Sequence, residues 1–405
     1  MKENSTLLIL RRKGMFAVSL NQLIRVLARS QMWIFLPLYL FEIRHIPYIT
    51  IGIIIFLMAI ISLPLTLVSG ILIDRKGVRK IIITSNISLI FLFLALTAGI
   101  FLNVSVYILY ILLIASEPLM NIIGAADNVI VSNSTSYKER NNAFSIVRIF
   151  QNVGFSIGPA IGGFIASDGF GYIFLITTFS SIIELSIYIK YLPGEIKDES
   201  AEKMEKKEDI LNAFKDRPFF IAAMLISLFY LIMGQWGTTL TLFWKGYDLM
   251  TNFQIGLLYS VNGIVVTLGQ LPVNRILKRF GDITKVNLGF LLYLSAFSIL
   301  PFFRGFLFLV IDTLIITIGE NVISPSINTI ISRISPVEKR GQYFTSFQVM
   351  TGFIYPVAPV LGTFLLTLYS KNLALMWYPL AITGTLFFFA FIPLWKKIRM
   401  SEHTN

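Results

Sequence analysis

The sequence predicts an all-α membrane protein of twelve transmembrane helices, arranged as two pseudo-symmetric six-helix halves. Composition is the first reason. Hydrophobic residues make up 55% of the 405 residues and charged residues 14%, against about 25% charged in soluble domains, and the mean hydropathy is +0.75. Spacing is the second, because windows of about 20 mainly apolar residues, the length that crosses hydrocarbon, recur twelve times. The third is an internal repeat. Arg140 and Arg340, Pro159 and Pro359, and Gly162 and Gly362 are each separated by 200 residues, Glu117 and Glu320 by 203, and Arg75-Lys76-Gly77 and Arg279-Phe280-Gly281 by 204.

Taken in order, the spans are 14–41, 49–73, 80–102, 105–130, 142–166, 171–191, 219–244, 253–274, 285–303, 305–331, 342–369 and 373–395. The first follows Arg11, Arg12 and Lys13 in the manner of a signal peptide, but its apolar run lacks a small-residue cleavage site and is read as a retained span. Between the second and third spans Arg75, Lys76, Arg79 and Lys80 stand close together. At roughly 2.5–3.5 kcal/mol each in hydrocarbon, they require a tight aqueous turn. The longest polar stretch, Gly194 to Arg217, follows the sixth span and divides the chain into 1–192, a linker at 193–217 and 218–405. Its Lys- and Glu-rich part, from Ala201, reads as a surface helix at the membrane interface.

Charge orients the bundle. Twenty-six of the 34 lysines and arginines lie in the two tails and every second connection, while the opposite connections hold only Arg44, Lys245, Arg304 and Lys371. The positive-inside rule therefore puts both termini in the cytoplasm, in a multi-pass protein of the cell membrane. The net charge of +12 follows the same alternation instead of gathering on one face, so nucleic acid is not the expected partner. There is no cysteine, and the two histidines, His45 and His403, are far apart. No metal site or other cofactor is expected.

Ionisable residues within spans are functional candidates because burial in hydrocarbon is costly. Arg25 and Arg29 lie four apart on one face of the first span. Glu117 and Glu320 fall near the middle of the fourth and tenth spans, and Asp312 nearer the outer side. For Glu117 two roles stay open, a carboxyl that takes up and releases protons or a fixed counter-ion to Arg25 or Arg29. Glu320 has no basic residue in its own span and leans toward a proton or substrate role. Glu184, in the sixth span, is read as structural. Parallel repeats imply an axis along the membrane normal and a midplane cavity between the halves. Asn21, Gln22, Asn121, Gln235, Trp236, Tyr259 and Asn262 are the expected lining.

Two stretches carry a resemblance. Gly70-x-Leu72-x-Asp74-Arg75-x-Gly77 resembles the signature between helices two and three of the major facilitator superfamily, and Gly154-x-x-x-Gly158-Pro159-x-x-Gly162-Gly163 is similar to its fifth-helix signature at every defined position. The resemblance covers nearly the whole chain. It implies a secondary transporter working by alternating access, with Asp74 and Arg75 as a latch that stabilises the outward-facing state. Val78 stands where the family has a basic residue, so Arg79 or Arg75 is left to complete the latch, with Asp127 as acidic partner. The fifth-helix signature is associated with antiporters and hence export, although small residues four apart also serve plain helix packing. Many drug–proton antiporters of the family carry an arginine in the fourth span where Met120 stands here, and Arg25 or Arg29 is the alternative source of that charge.

The resulting expectation is a monomeric, proton-coupled transporter of a small organic solute, with efflux as first reading and import of an organic anion as second. An enzyme is not expected, since the chain has no HExxH, GxSxG or cysteine. Neither a repeated selectivity-filter loop nor a phosphate-binding loop with its soluble domain is visible.

Overall fold

The computed structural model describes residues 5–136, 138–192, 212–336 and 339–402, which are almost entirely helical and contain no strand. Nine helices among these residues are long and apolar enough to cross a membrane, and the shorter apolar helices Tyr48–Pro64 and Leu373–Phe389 add two more. With Asp282–Ile299 the number of spans is twelve, close to their sequence limits except at the end of the last, whose helix runs on to Glu402. Helices are the outcome because hydrocarbon offers no partner for backbone polar groups, so each span must satisfy its own. The linker's expected surface helix lies outside the described residues.

Three spans are less regular than the sequence suggests. The first, Lys13–Leu38, contains Pro37 and runs on as a π-helical turn, Tyr39–Ile43. The seventh breaks after Met233 into a single 3-10 turn at Gly234–Trp236, and resumes at Thr238 once Gly237 has left helical geometry at ψ −107°. The eleventh breaks between Ile354 and Val357, where Pro356 has no N–H to continue the ladder. A short helix, Ser5–Leu10, precedes the first span. At the turn between Lys76 and Val78, Gly77 has φ +80°. That conformation costs a residue with a Cβ, so one glycine lets two long helices meet almost without a loop.

The chain forms two compact units. One takes the described residues of 5–46, 57–192 and 251–264; the other takes those of 47–56, 212–250 and 265–402. Short segments at the starts of the second and eighth spans thus belong with the unit that does not hold the rest of their span.

In the first unit the fifth span, Arg140–Asp168, presents two faces of small residues. A Cβ on Gly154 would come 2.7 Å from the Leu23 carbonyl oxygen, one on Gly158 would run into that of Leu27, and one on Gly162 would lie 2.7 Å from Gln31 Cβ. This face meets the first span backbone to backbone. On the other, a Cβ on Gly163 would come 2.5 Å from the Asn252 carbonyl oxygen, and one on Gly256 would run into that of Pro159. Next to the proline, the Ala160 N–H donates to Ser260 Oγ at 3.1 Å.

The second unit repeats this plan. Gly362 of the eleventh span closes on Gln235 and Thr239 of the seventh, and a Cβ on Gly52 would come 2.7 Å from the Pro359 carbonyl oxygen and run into Thr363. The likeness reaches single hydrogen bonds. Gln31 Nε2 donates to the Leu27 carbonyl at 3.0 Å, and 204 residues later Gln235 Nε2 donates to the Leu231 carbonyl at 2.7 Å.

Candidate functional site

The first unit contains a buried charge network centred on Arg25. Arg25 and Arg29 lie on one face of the first span, and Glu184 and Tyr188, also four apart, lie on one face of the sixth, Phe170–Tyr191. The fourth span, Val106–Asn133, contributes Asp127. Arg25 Nε donates to Glu184 Oε2 at 2.7 Å, Nη1 to Asp127 Oδ2 at 2.7 Å and Nη2 to the Tyr188 hydroxyl at 2.7 Å. That hydroxyl in turn donates to Asp127 Oδ1 at 2.6 Å. Gln22 Nε2 donates to Asp127 Oδ2 at 3.0 Å and its own carbonyl accepts from Gln151 at 3.0 Å, while Asn21 Nδ2 donates to the Glu184 backbone oxygen at 3.2 Å.

Arg25 is thus held in three directions by groups with almost no accessible surface. Charge-assisted bonds this short are the strong kind. In a low-dielectric interior their loss leaves a bare charge, so the network acts as a brace between the first, fourth and sixth spans. Asp127, expected as the acidic partner of Arg75 or Arg79, has both carboxylate oxygens committed to Arg25, Gln22 and Tyr188. The physical reason is depth, because Asp127 is 1% exposed whereas Arg75 is exposed and Arg79 half-buried. Sequence reasoning reads Glu184 as structural, in keeping with a brace, but does not pair it with Arg25 and does not mark Tyr188. The signal is present in the four-residue spacing of an acid and a phenol in a span, since two membrane-buried arginines need acceptors.

Arg29 differs from Arg25. Its guanidinium reaches Glu184 only at 3.9 Å, and Nε and Nη2 are buried without a hydrogen-bond acceptor among the described residues. Glu117 is half-buried and its charge is felt at Arg29, but no ion pair within 4.0 Å joins them among the described residues. Asn121, one turn further along the fourth span, is likewise half-buried. The first unit therefore holds one arginine fully spent and one with N–H groups still to satisfy.

In the second unit Glu320 is half-buried and acts electrostatically on Tyr230, Tyr293 and Tyr355. The Tyr230 and Tyr355 rings stand edge to face at 6.1 Å. Trp236 is half-buried at the break in the seventh span, its ring 5.8 Å from Trp244. Asp312 has no accessible surface.

Several residues expected to line a cavity are packed instead. Gln235 is wholly buried and also donates to the Ala358 backbone oxygen at 3.0 Å. Asn21 and Tyr259 have no accessible surface and Asn262 has 4%. Gln235 is closed in by Gly362, the start of the eighth span is packed through Gly256 against the fifth, and Asn21 is taken up by the Glu184 backbone oxygen. Of the latch residues, Gly70 and Asp74 fall in the helix Tyr48–Lys76, and the Asp74 side chain lies outside the described ones.

Comparison with known proteins agrees with this architecture. The family model of the Major Facilitator Superfamily matches residues 18–293 and 239–405, and the chain belongs to that family of membrane transporters. Uncharacterized MFS-type transporter YttB of Bacillus subtilis (strain 168) is 27% identical over 207 residues, so this match spans about half of each chain (50% of this one, 51% of that one). Multidrug resistance protein 2 of the same organism is 24% identical over 73% of this chain and 74% of its own. Among solved structures, the nucleoside transporter NupG superimposes with a TM-score of 0.79 at 14% identity, over 95% of this chain and 99% of that one. At that identity the likeness is one of fold.

Proposed function

We propose that this protein is a proton-coupled exporter of a small organic solute, working by alternating access. It resides in the cell membrane as a monomer with both termini cytoplasmic. In this reading 1–192 and 218–405, joined by 193–217, are the two rocking halves, and Asp74 and Arg75 form the latch between second and third spans. The observation that carries the proposal is the contrast between the two arginines of the first span. Arg25 is saturated by Asp127, Glu184 and Tyr188, so it serves as a brace. Arg29 keeps two N–H groups without an acceptor and feels the half-buried Glu117, so that pair is where a proton or substrate exchanges partners. Glu320 supplies the equivalent carboxyl in the second unit. Export is favoured by the multidrug-resistance relative and by the fifth-span glycine pattern.

A second reading rests on the same guanidinium. Two buried N–H donors without an acceptor suit an anionic group on the substrate, which favours import of an organic anion. Transport by reconstituted protein under an imposed proton gradient tests both. Wild type should respond to the gradient, with coupling lost in Glu117→Gln or Glu320→Gln. An equal response in all three would rule out these carboxyls as proton carriers.

A further inference from the structure

At the depth of Trp33 the first span leaves one side uncovered. Leu23, Leu27 and Gln31 meet the glycines of the fifth span, while Asn21 and Arg25 are bonded to the fourth and sixth. A step of four residues turns about 40° around a helix axis, so the row Arg25, Arg29, Trp33 swings away from the bonded side toward one that none of these spans covers. Burial follows that turn. The Arg25 side chain is 6% exposed and that of Arg29 13%, whereas Trp33 is 43% exposed. Among the described residues from Gly14 to Leu40, Trp33 alone is exposed.

An indole that faces lipid usually stands at the end of a span, where it anchors the interface. Here the residue one turn away is an arginine, which hydrocarbon accepts only at a large cost. The indole is also held in place. Tyr259, at the start of the eighth span and within the same unit, stands edge to face with it at 6.5 Å between centroids and 79° between planes. Side chains four apart on a helix are neighbours, with Cβ atoms about 5–6 Å apart. One helix therefore places side by side an indole with open surface and a guanidinium whose Nε and Nη2 have no acceptor among the described residues.

The two groups select different parts of a ligand. Buried N–H donors without an acceptor are costly and take an oxygen, and an indole takes a flat ring, stacked or edge-on. We propose that Arg29 and Trp33 form a subsite for an aromatic solute carrying a carboxylate or carbonyl oxygen about one helical turn from its ring. Trp33 selects the ring and Arg29 holds the oxygen. The subsite rests on the reading of Arg29 as part of the transport site and names the substrate class for it; it serves export and import alike.

Saturation-transfer NMR on the purified full-length protein, at equilibrium and without a gradient, tests the subsite. The probes are phenylacetamide, phenylacetate, phenethylamine, which keeps the ring but has no oxygen, and cyclohexylacetamide, which keeps the amide but has no ring. Wild type should bind the better of the first two about fivefold more tightly than cyclohexylacetamide, the worth of one aromatic contact, and about tenfold more tightly than phenethylamine, the worth of a hydrogen bond to a charged group. Trp33→Leu should abolish the preference for the ring, and Trp33→Phe should keep it. Arg29→Met should abolish the preference for the oxygen and leave that for the ring. Phenylacetate ahead of phenylacetamide supports an anionic member of the class, and the reverse order a neutral one. Equal binding of phenylacetamide and cyclohexylacetamide by wild type overturns the proposal whatever the variants do. So does a ring preference that survives Trp33→Leu, or no binding of any probe. A transport rate indifferent to the proton gradient, with these preferences intact, counts against proton coupling alone, so the two readings fail separately.

Discussion

The pair formed by Arg12 and Glu139 shows how one exposed contact organises a tail. Arg12 forks onto both Glu139 oxygens at 2.8 and 3.0 Å and onto the Ser134 carbonyl at 2.8 Å. The Ser136 N–H and hydroxyl donate to the same carboxylate at 3.0 and 2.8 Å. These bonds lower the Glu139 carboxyl to about 2, with Arg12 the largest cause. A depressed acid stabilises the docked tail above its ordinary titration range near 4 and loses that effect as pH falls through about 2. Limited trypsin or acid-stable protease digestion of the tail should show docking preserved down to about pH 3, and Arg12→Gln should move release up toward the ordinary carboxylate range. Release at the same pH in both proteins would mean that Arg12 does not hold Glu139.

Among the elements, the fifth span is where geometry is least forgiving. At Gly158 an added side chain meets Leu27 backbone, which cannot swing aside, whereas a Cβ at Gly124 meets nothing within 4 Å. Gly158→Val should therefore lower Tm markedly, with a cost at or above the roughly 1–3 kcal/mol of ordinary overpacking, while Gly124→Ala should leave it near wild type. Comparable thermal stability in the two variants would show that the first and fifth spans do not meet as described. This face is legible in the sequence, since glycines four apart in a span announce close helix approach. The breaks in the seventh and eleventh spans are marked in the sequence only by Gly234, Gly237 and Pro356, residue types that many spans tolerate without breaking, since Pro37, Pro118 and Pro159 lie inside continuous helices.

Across the whole molecule, the repeat is readable as a list of offsets, and the structure turns it into equivalent packing. Gly162 on Gln31 and Gly362 on Gln235 are the same contact made twice. Partnership is much less legible than placement. Sequence reasoning marks Asp127 as functional but gives it to Arg75 or Arg79, and sets Glu184 aside, because a sequence records depth along a span and not which face meets which neighbour. The buried network supplies what the offsets lack, a reason for two arginines four apart to have different tasks. Comparing Arg25→Gln with Arg29→Gln for both stability and transport tests that division most directly. Arg25→Gln strands Asp127 and Glu184 and should destabilise the protein by about 3–5 kcal/mol, whereas Arg29→Gln should keep nearly wild-type stability and lose transport. An Arg29→Gln protein that transports normally, or an Arg25→Gln protein as stable as wild type, would contradict the assignment.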